Sequence, residues 1–189
     1  MKILCTEYNA TGAIGIVPVG DDALLRNNDD FYLPAFGKEW SCVPQPVVRI
    51  CKLGKCVSER FAGRYYEEAG MGIRFYADDL ERTLRGQGLP EGIASSFGGS
   101  AAISALLPRE ECGEGEYALT VNGEKVFEGS IARHPATPEQ LIALASEFHT
   151  LKIGDFLYTG NRFRHRGLQA GDRLQVTFNR RTIMDFKIK

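Results

Sequence analysis

The sequence predicts a strand-rich α+β protein with a few short helices. Three observations support this class: an Asn-Gly turn at 122–123 between two alternating runs, Gly-Asp turns at 154–155 and 171–172 before alternating runs, and helical periodicity over 138–149. Turn residues beside period-two runs are typical of strands, whereas apolar residues three and four apart are typical of helices. With 189 residues, 43% of them hydrophobic, the chain suits one sizeable core. We therefore expect a single domain over residues 1–189.

The predicted strands follow from local turn chemistry. The Asn122–Gly123 pair accepts the positive φ angles of a two-residue turn, so residues 119–131 are predicted as a β-hairpin. Each Gly-Asp turn precedes a strand, at 156–158 and 174–178. In the segment from Val47 to Leu53, the even-numbered and the odd-numbered positions carry a similar mixture of side chains. A strand with two similar faces is typical of the interior of a sheet.

Three helices are predicted. The first covers 138–149, because Thr137 can cap it and Gln140 completes a capping box. The second runs from Ser58 to Gly70, and the third covers 77–85 with its leucines facing inward. The second helix would bury Phe61, Ala62, Tyr65 and Ala69.

Composition excludes several classes of function. Lysine and arginine total 23 against 24 aspartates and glutamates, so no global field attracts the molecule to nucleic acid or to an anionic membrane. No run of about 18 apolar residues occurs, and Glu7 and Asn9 interrupt the apolar start, so we expect a cytoplasmic protein. The five cysteines are odd in number and lack CxxC spacing, and we expect buried, reduced thiols: Cys5, Cys42, Cys51, Cys56 and Cys112.

Six strings carry a resemblance to a known family: VVRICKLGK (47–55), GIRFYADDL (72–80), FGGSA (97–101), NGEKV (122–126), TLKIGDFLYTG (150–160) and GLQAGD (167–172). In order and spacing they resemble the fumarylacetoacetate hydrolase family over roughly residues 22–189. The resemblance implies a mixed β-sheet curled into a partly closed β-roll, with short flanking helices, a pocket at one mouth and a homodimeric state. Active relatives hydrolyse, isomerise or decarboxylate small oxo-acids on Mg²⁺ or Mn²⁺, which three carboxylates hold.

The positions of the family's metal ligands lack carboxylates in this chain. The Glu-x-Glu pair that precedes the family's strand falls at Val43 and Gln45, and the aspartate of its G-x-D segment falls at Arg74. A cation at the third position would repel a divalent metal ion. We therefore expect no metal cofactor and no catalytic residues of the family type.

Other family positions have changed as well. The family's lysine falls at Ser95, the aspartate of FDGSA falls at Gly98, and the threonine-proline after TG falls at Asn161 and Arg162. The N-terminal lid segment is shortened, and its histidine–glutamate pair is missing. The remaining candidates for a ligand pocket are Gln45, Arg74, Asp78, Ser95, Thr159, Gly160 and Arg162.

Several polar groups allow two interpretations. Asp78 and Asp79 could replace the lost ligands, but acids at a helix start more often serve its dipole and face solvent. The basic loop Arg162–Arg166 is interpreted as solvated, with binding of a small anion as the alternative. The three scattered histidines are interpreted as surface or helix-end residues: His134, His149 and His165.

Three functional hypotheses remain open. The first is a family member that has kept the scaffold, lost metal-dependent catalysis and serves as a binding or assembly subunit, with Arg74 and the basic loop holding a small anionic ligand. The rival is an active hydrolase, isomerase or decarboxylase that recruits a metal through other residues. The third, a nucleic-acid-binding module, rests on the basic loop alone. If Arg74 is buried, we expect an acid such as Asp78 or Asp79, or an anion, to pair with it.

Overall fold

The structure is a computed structural model that describes residues 1–26 and 28–189. The described residues form two β-sheets and four short α-helices. The strands are β1 Ile3–Tyr8, β2 Ile14–Val19, β3 Leu24–Leu25, β4 Trp40–Ile50, β5 Tyr66–Ala77, β6 Ala101–Ile103, β7 Leu107–Pro108, β8 Glu116–Val121, β9 Glu124–Ser130, β10 Phe156–Tyr158, β11 His165–Leu168, β12 Arg173–Phe178 and β13 Arg181–Lys187. The helices are α1 Glu59–Ala62, α2 Asp78–Gly86, α3 Arg109–Cys112 and α4 Pro138–Phe148, with 3₁₀ turns at Asp21–Ala23, Glu91–Ala94 and Ile131–Arg133.

The larger sheet is mixed and follows the order β2-β1-β10-β4-β5-β6-β3. Strand β11 extends it beside β4, and β7 extends it beside β5. The pairs β1–β10 and β3–β6 are parallel, and the other pairs are antiparallel. The smaller sheet is antiparallel in the order β13-β12-β8-β9. Helices α1 and α4 contact each other beside the sheets. This architecture confirms the predicted strand-rich α+β class with a mixed sheet.

The two long central strands, β4 and β5, bury both of their faces. On one face, Cys42 and Phe75 join a large core that includes Leu119 and Val176 of the smaller sheet. The opposite face joins a second cluster around Tyr158. Successive side chains in a strand point to opposite faces. The register of β4 against β5 therefore determines which of their side chains lie next to each other on this second face. The candidate site lies on the second face.

The locally encoded elements are confirmed. Asn122 and Gly123 have φ values of 52° and 85°, as the two-residue hairpin turn requires. Helix α4 begins after Thr137 with the predicted capping box. The Gly-Asp turns precede β10 and β12, and the predicted third helix is α2.

The predicted helix from Ser58 to Gly70 is wrong. Helix α1 ends at Ala62, and the chain enters β5 at Tyr66, where Tyr66 and Ala69 pair with β4. Ala62 is buried as predicted, but Phe61 is 39% exposed. Helix propensity is a weak preference, and an eleven-residue antiparallel pairing with β4 outweighs it here.

The predicted strand at 47–53 begins earlier and ends earlier than expected. Strand β4 starts at Trp40 and contains Pro44 and Pro46, which lack the N–H group of a central strand. The carbonyl groups of both prolines face the segment 159–161, where Asn161 Nδ2 and Thr159 N donate to them at 3.0 and 3.1 Å. The N–H and C=O groups of one residue in an antiparallel strand point to the same side. On this side of β4, β10 pairs with residues 47–49 and β11 pairs with residues 40–42, which leaves 43–46 without a paired strand. The missing N–H groups of the two prolines therefore remove no hydrogen bond between strands.

The cysteine prediction holds in part. All five thiols are free, and Cys5, Cys42 and Cys112 are buried. Cys51 is half-buried and Cys56 is exposed, so the expectation of burial is wrong for Cys56. Within the described part of the chain, no helix is long and apolar enough to cross a membrane.

Candidate functional site

A cleft of about 570 Å³ opens where the β1–β2 hairpin approaches the end of β5. Its walls are residues Glu7 to Val17 of the hairpin, Tyr76 of β5, the outer face of α2, the 91–95 segment and Arg164. Its charged groups are of both signs: Glu7, Glu81, Glu91, Arg85 and Arg164. Tyr76 shares the face of Arg74 on β5, so the cleft lies beside the second face of that strand.

The residues predicted to stand at the family's metal-ligand positions lie together on one face of the larger sheet. Val43 is the direct cross-strand partner of Arg74, and Gln45 is the partner of Gly72. Residues directly opposite each other in an antiparallel pair point to the same side of the sheet. The groups brought together are an alkyl group, an amide and a guanidinium.

Gln45 is a structural bridge in this arrangement. It is 1% exposed, its Oε1 accepts from Gly160 N at 2.5 Å, and its Nε2 donates to Val43 O at 3.3 Å. Both ends of the amide are therefore engaged by the backbone. Gln45 fastens the chain after β10 to the face of β4.

Arg74 is buried with an incomplete set of partners. Only 1% of the residue is exposed; its Nη2 donates to Ser95 O at 2.5 Å, while Nε and Nη1 have no partner among the described residues. Burial alone lowers the pKa of Arg74, but neighbouring Cys5, Tyr76 and Glu7 raise it above its ordinary value. Burial likewise raises the pKa of Cys5 to about 11, against the lowering effect of Arg74. The guanidinium stays charged behind the wall that Ser95 contributes to the cleft.

The expected acid partner of Arg74 is wrong for both candidates. Asp78 is 6% exposed and binds Ser41 Oγ at 2.8 Å, Arg166 Nη1 at 2.8 Å and Arg164 Nη2. Asp79 accepts from the backbone N–H of Lys38 at 3.0 Å. Two cations and a hydroxyl satisfy the Asp78 carboxylate, so its side chain is a buried ion-pair centre and the expectation of a solvent face for Asp78 is also wrong.

The basic loop is partly ordered by these contacts. Arg164 Nη2 also binds Glu81 at 2.8 Å, its Nε donates to Ser41 Oγ at 2.7 Å, and its guanidinium carbon lies 4.1 Å from the centre of the Tyr76 ring. Phe163 stacks on Phe127 with ring centres 4.5 Å apart. A wholly solvated loop is therefore a wrong expectation, although Arg162 itself is exposed.

The Thr159–Gly160 segment is held from several sides. Thr159 Oγ1 donates to Pro46 O at 2.9 Å, and Tyr8 OH donates to Thr159 O at 3.1 Å. His134 Nε2 lies 2.8 Å from Gly160 O, and its Nδ1 lies 3.0 Å from Ala136 O. His134 thus holds this segment in place. It is half-buried and lies at the C-terminal end of the 3₁₀ turn Ile131–Arg133, so its predicted place at a helix end is confirmed.

Sequence reasoning missed one acid–base pair in the cleft. Tyr76 OH donates to Glu7 Oε1 at 2.9 Å, and both residues line the cleft. Burial raises the pKa of Tyr76 well above its ordinary value, and the Glu7 carboxylate raises it further. The sequence did contain a signal, because alternate residues of a strand point to the same face. Glu7 lies on the same face of β1 as Cys5, and Tyr76 lies on the same face of β5 as Arg74.

A divalent metal ion does not fit this set of residues. Mg²⁺ and Mn²⁺ take several oxygen ligands in near-octahedral geometry, and carboxylates usually supply the charge. In the described ranges, no three His, Cys, Asp or Glu side chains group as a metal site. At the family's ligand positions, the amide oxygen of Gln45 is already engaged and Arg74 contributes a positive charge.

The family-level comparison agrees with this fold. The family model described as fumarylacetoacetate (FAA) hydrolase C-terminal matches residues 76–188, which is more than half of the chain. The chain therefore belongs to the fumarylacetoacetate hydrolase family.

Two individual relatives show the level of sequence identity. The oxaloacetate tautomerase YcgM of Escherichia coli is 34% identical over 116 residues, which cover 58% of this chain and 52% of that protein. The mitochondrial oxaloacetate tautomerase FAHD1 of Mus musculus is 26% identical over 160 residues, covering 83% of this chain and 72% of that protein. The match thus spans about half the length of the E. coli relative.

Solved structures share the whole fold. A Yersinia pestis protein assigned to the fumarylacetoacetate hydrolase family superposes with a TM-score of 0.88 and 27% identity, over 100% of this chain and 92% of the other. Fumarylpyruvate hydrolase from Pseudomonas aeruginosa, in complex with Mn²⁺ and pyruvate, superposes with a TM-score of 0.89 and 18% identity, over 100% and 89%.

Proposed function

We propose that this protein is a family member that has lost metal-dependent catalysis and uses its cleft to bind a small carboxylate. The observation that carries the proposal is Arg74, a buried cation with two nitrogens, Nε and Nη1, that have no hydrogen-bond partner in the described part of the chain. A buried charge without a full set of partners is costly. An anionic ligand that reaches the guanidinium would offset that cost.

Arginine suits this role because its guanidinium is planar, permanently charged and able to bind both oxygens of a carboxylate. Ser95, whose carbonyl oxygen binds Arg74, lies in the cleft wall, so a ligand in the cleft approaches the cation from this side. The positive charge of the lost ion is retained, and the Lewis acid is not. Gln45, Thr159 and Gly160 do not line the cleft; their hydrogen bonds hold β4 against the segment that follows β10.

An active enzyme is the second candidate function. Relatives in E. coli and mouse are named oxaloacetate tautomerases, and the P. aeruginosa relative carries Mn²⁺ and pyruvate. These names favour a hydrolase, isomerase or decarboxylase of small oxo-acids, of the acylpyruvate, 2-hydroxyhepta-2,4-diene-1,7-dioate or oxaloacetate type. Such an enzyme needs a metal site other than Val43, Gln45 and Arg74.

Calorimetric titration separates the two candidates. The proposal expects no stoichiometric site for Mg²⁺ or Mn²⁺ alone, and saturable binding of pyruvate in the presence of EDTA. Arg74→Gln should abolish pyruvate binding, Arg74→Lys should retain part of it, and the exposed Arg60→Gln should bind like the wild type. A stoichiometric metal site, or pyruvate binding that survives Arg74→Gln in a folded variant, would overturn the proposal.

We further propose a homodimer in the cytoplasm, as family membership and the free thiols favour. Analytical ultracentrifugation of the full chain tests the assembly. A monomer at micromolar concentration would contradict it.

A further inference from the structure

The charges in the lining of the cleft do not match a ligand that carries a carboxylate alone. Three of the five charged side chains in this lining are glutamates and two are arginines. We propose that the ligand is a small zwitterionic amino acid, whose carboxylate binds Arg74 and whose ammonium group binds Glu7. This inference rests on the proposed carboxylate-binding function and adds an ammonium group to the ligand.

Two of the three glutamates are already neutralised by arginines. Glu81 binds Arg85 Nη2 at 3.0 Å and Arg164 Nη2 at 2.8 Å. Glu91 accepts from Arg85 Nε at 2.7 Å and from Arg85 Nη2 at 2.5 Å. Arg164 also binds the buried carboxylate of Asp78. These charges are therefore balanced within the protein before a ligand enters the cleft.

Glu7 differs from the other two glutamates, because it forms no salt bridge with the described residues. Its side chain is half-buried, its Oε1 accepts from Tyr76 OH at 2.9 Å, and no hydrogen bond from the described residues engages its Oε2. A phenol is a neutral donor, so this hydrogen bond leaves the negative charge of the carboxylate uncompensated. An ammonium group in the cleft would give Glu7 a hydrogen-bond donor of opposite charge.

Arg74 is the complementary cation, and Tyr76 contacts both charged groups. The Nε and Nη1 atoms of Arg74 are buried without a hydrogen-bond partner in the described ranges. The guanidinium carbon of Arg74 lies 5.5 Å from the centre of the Tyr76 ring, whose hydroxyl group binds Glu7. A buried cation and an unpaired anion that share one aromatic neighbour complement a ligand whose carboxylate and ammonium groups are attached to the same carbon atom.

A small carboxylate without an ammonium group is less well matched to the same cleft. Such a ligand brings a second negative charge close to Glu7, and like charges repel more strongly where water is partly excluded. Removal of the charge of Glu7 should therefore weaken the binding of an amino acid and should not weaken the binding of a plain carboxylate. These opposite expectations separate a charge partner of the ligand from a residue that only supports the fold.

The uncharged part of the lining indicates the kind of side chain that the amino acid carries. Ala13, Ile14, Val17 and Ala94 supply apolar groups to the cleft wall, and the cleft of about 570 Å³ has room for a small organic molecule. A short aliphatic side chain would contact these groups. L-Alanine is therefore the probe, and pyruvate is its matched comparator, because it has the same three-carbon skeleton with a carbonyl oxygen in place of the ammonium group.

Titration calorimetry with L-alanine and with pyruvate, each in the presence of EDTA, tests the inference. Alanine should bind the wild type at least about tenfold more tightly than pyruvate. Glu7→Gln keeps an acceptor for Tyr76 OH and removes the charge, so it should weaken alanine binding at least about tenfold and leave pyruvate binding unchanged or tighter. Arg74→Gln should abolish the binding of both ligands. Glu128→Gln, an exposed change on β9, should leave both affinities unchanged.

The comparison with pyruvate distinguishes the possible failures. If pyruvate binds through Arg74 but alanine binds no more tightly, or if the preference for alanine survives Glu7→Gln, this inference is wrong and the proposed function stands. Equal weakening of both ligands by Glu7→Gln would show a structural role for Glu7 and would also contradict the inference. Failure of both ligands to bind the wild type would overturn the proposed function itself.

Discussion

At the scale of single residues, three side chains of the two central strands are buried on one face of the larger sheet. The register of the family-like strings predicts that Val43, Gln45 and Arg74 stand at the ligand positions, which stays a prediction; β4–β5 pairing brings those residues onto one face. Their hydrogen-bond partners could not be predicted, because they are distant in sequence: Gln45 binds Gly160, and Tyr76 binds Glu7. The sequence of a strand does not specify which group, distant along the chain, will form a hydrogen bond with a buried side chain of that strand. The roles of the pocket candidates therefore stay predictions.

At Gly160, both the backbone conformation and the close neighbouring atoms favour glycine over any larger residue. Its φ is 75°, and an added Cβ would lie 2.5 Å from Thr6 O and 2.7 Å from the Tyr8 ring. Gly160→Ala should therefore lower the free energy of unfolding by more than the cost of left-handed strain alone, which is about 1–3 kcal/mol. Urea unfolding measures the difference.

Gly167→Ala is the matched control for that substitution. Gly167 has a φ of 82° and open space around the added Cβ, so it reports the strain without the clash. Equal destabilisation by the two substitutions would show that the contact of residue 160 with β1 has no energetic weight.

Secondary-structure elements divide according to whether their signals are local. The β8–β9 hairpin and helix α4 were predicted correctly because turn glycines and capping residues act within a few positions of each other. The segment 58–70 was predicted incorrectly because its apolar residues suit a helix, whereas pairing with β4 makes residues 66–70 part of a strand. Strand β4 itself contains two prolines that argue against a central strand, and the gap in its pairing that tolerates them is a tertiary feature.

Helix α4 gives a direct test of a local signal. Thr137 Oγ1 accepts from Gln140 N at 3.3 Å, and Gln140 Oε1 accepts from Thr137 N at 3.0 Å, so each residue satisfies a backbone donor of the other. Thr137→Ala should lower the free energy of unfolding by about 1 kcal/mol.

Chemical denaturation checks this value against Thr150→Ala, an exposed threonine outside the helix whose side chain makes no hydrogen bond among the described residues. If Thr137→Ala and Thr150→Ala are equally stable, the capping box contributes nothing to α4.

At the scale of the whole molecule, the residues that build the large core are separate from the residues on the opposite face of β4 and β5. The large core includes residues of both sheets and of α4, including Leu119, Leu141 and Val176, and it lies on the face of β4 opposite to Val43 and Gln45. Since successive strand residues point to opposite faces, substitutions at the site leave that core untouched. The chain superposes on a relative of 27% identity with a TM-score of 0.88, and this separation would let such a fold persist while side chains on the cleft face change.

The same separation allows the metal centre to be tested by reconstruction. The triple change Val43→Glu, Gln45→Glu and Arg74→Asp places three carboxylates on one face, with residues 43 and 74 directly opposite each other. It should create a stoichiometric site for Mn²⁺, because three converging carboxylates supply the charge and the oxygen ligands that the ion requires. Arg74→Asp alone should not, because Val43 offers no oxygen and the oxygen of Gln45 is engaged by Gly160. Binding is measured by titration calorimetry, and Mn²⁺ should raise the melting temperature of the triple variant alone, since an ion that binds only the folded state stabilises it. If Arg74→Asp alone binds Mn²⁺, or if the folded triple variant does not, then Val43, Gln45 and Arg74 are not the positions of the lost ligands.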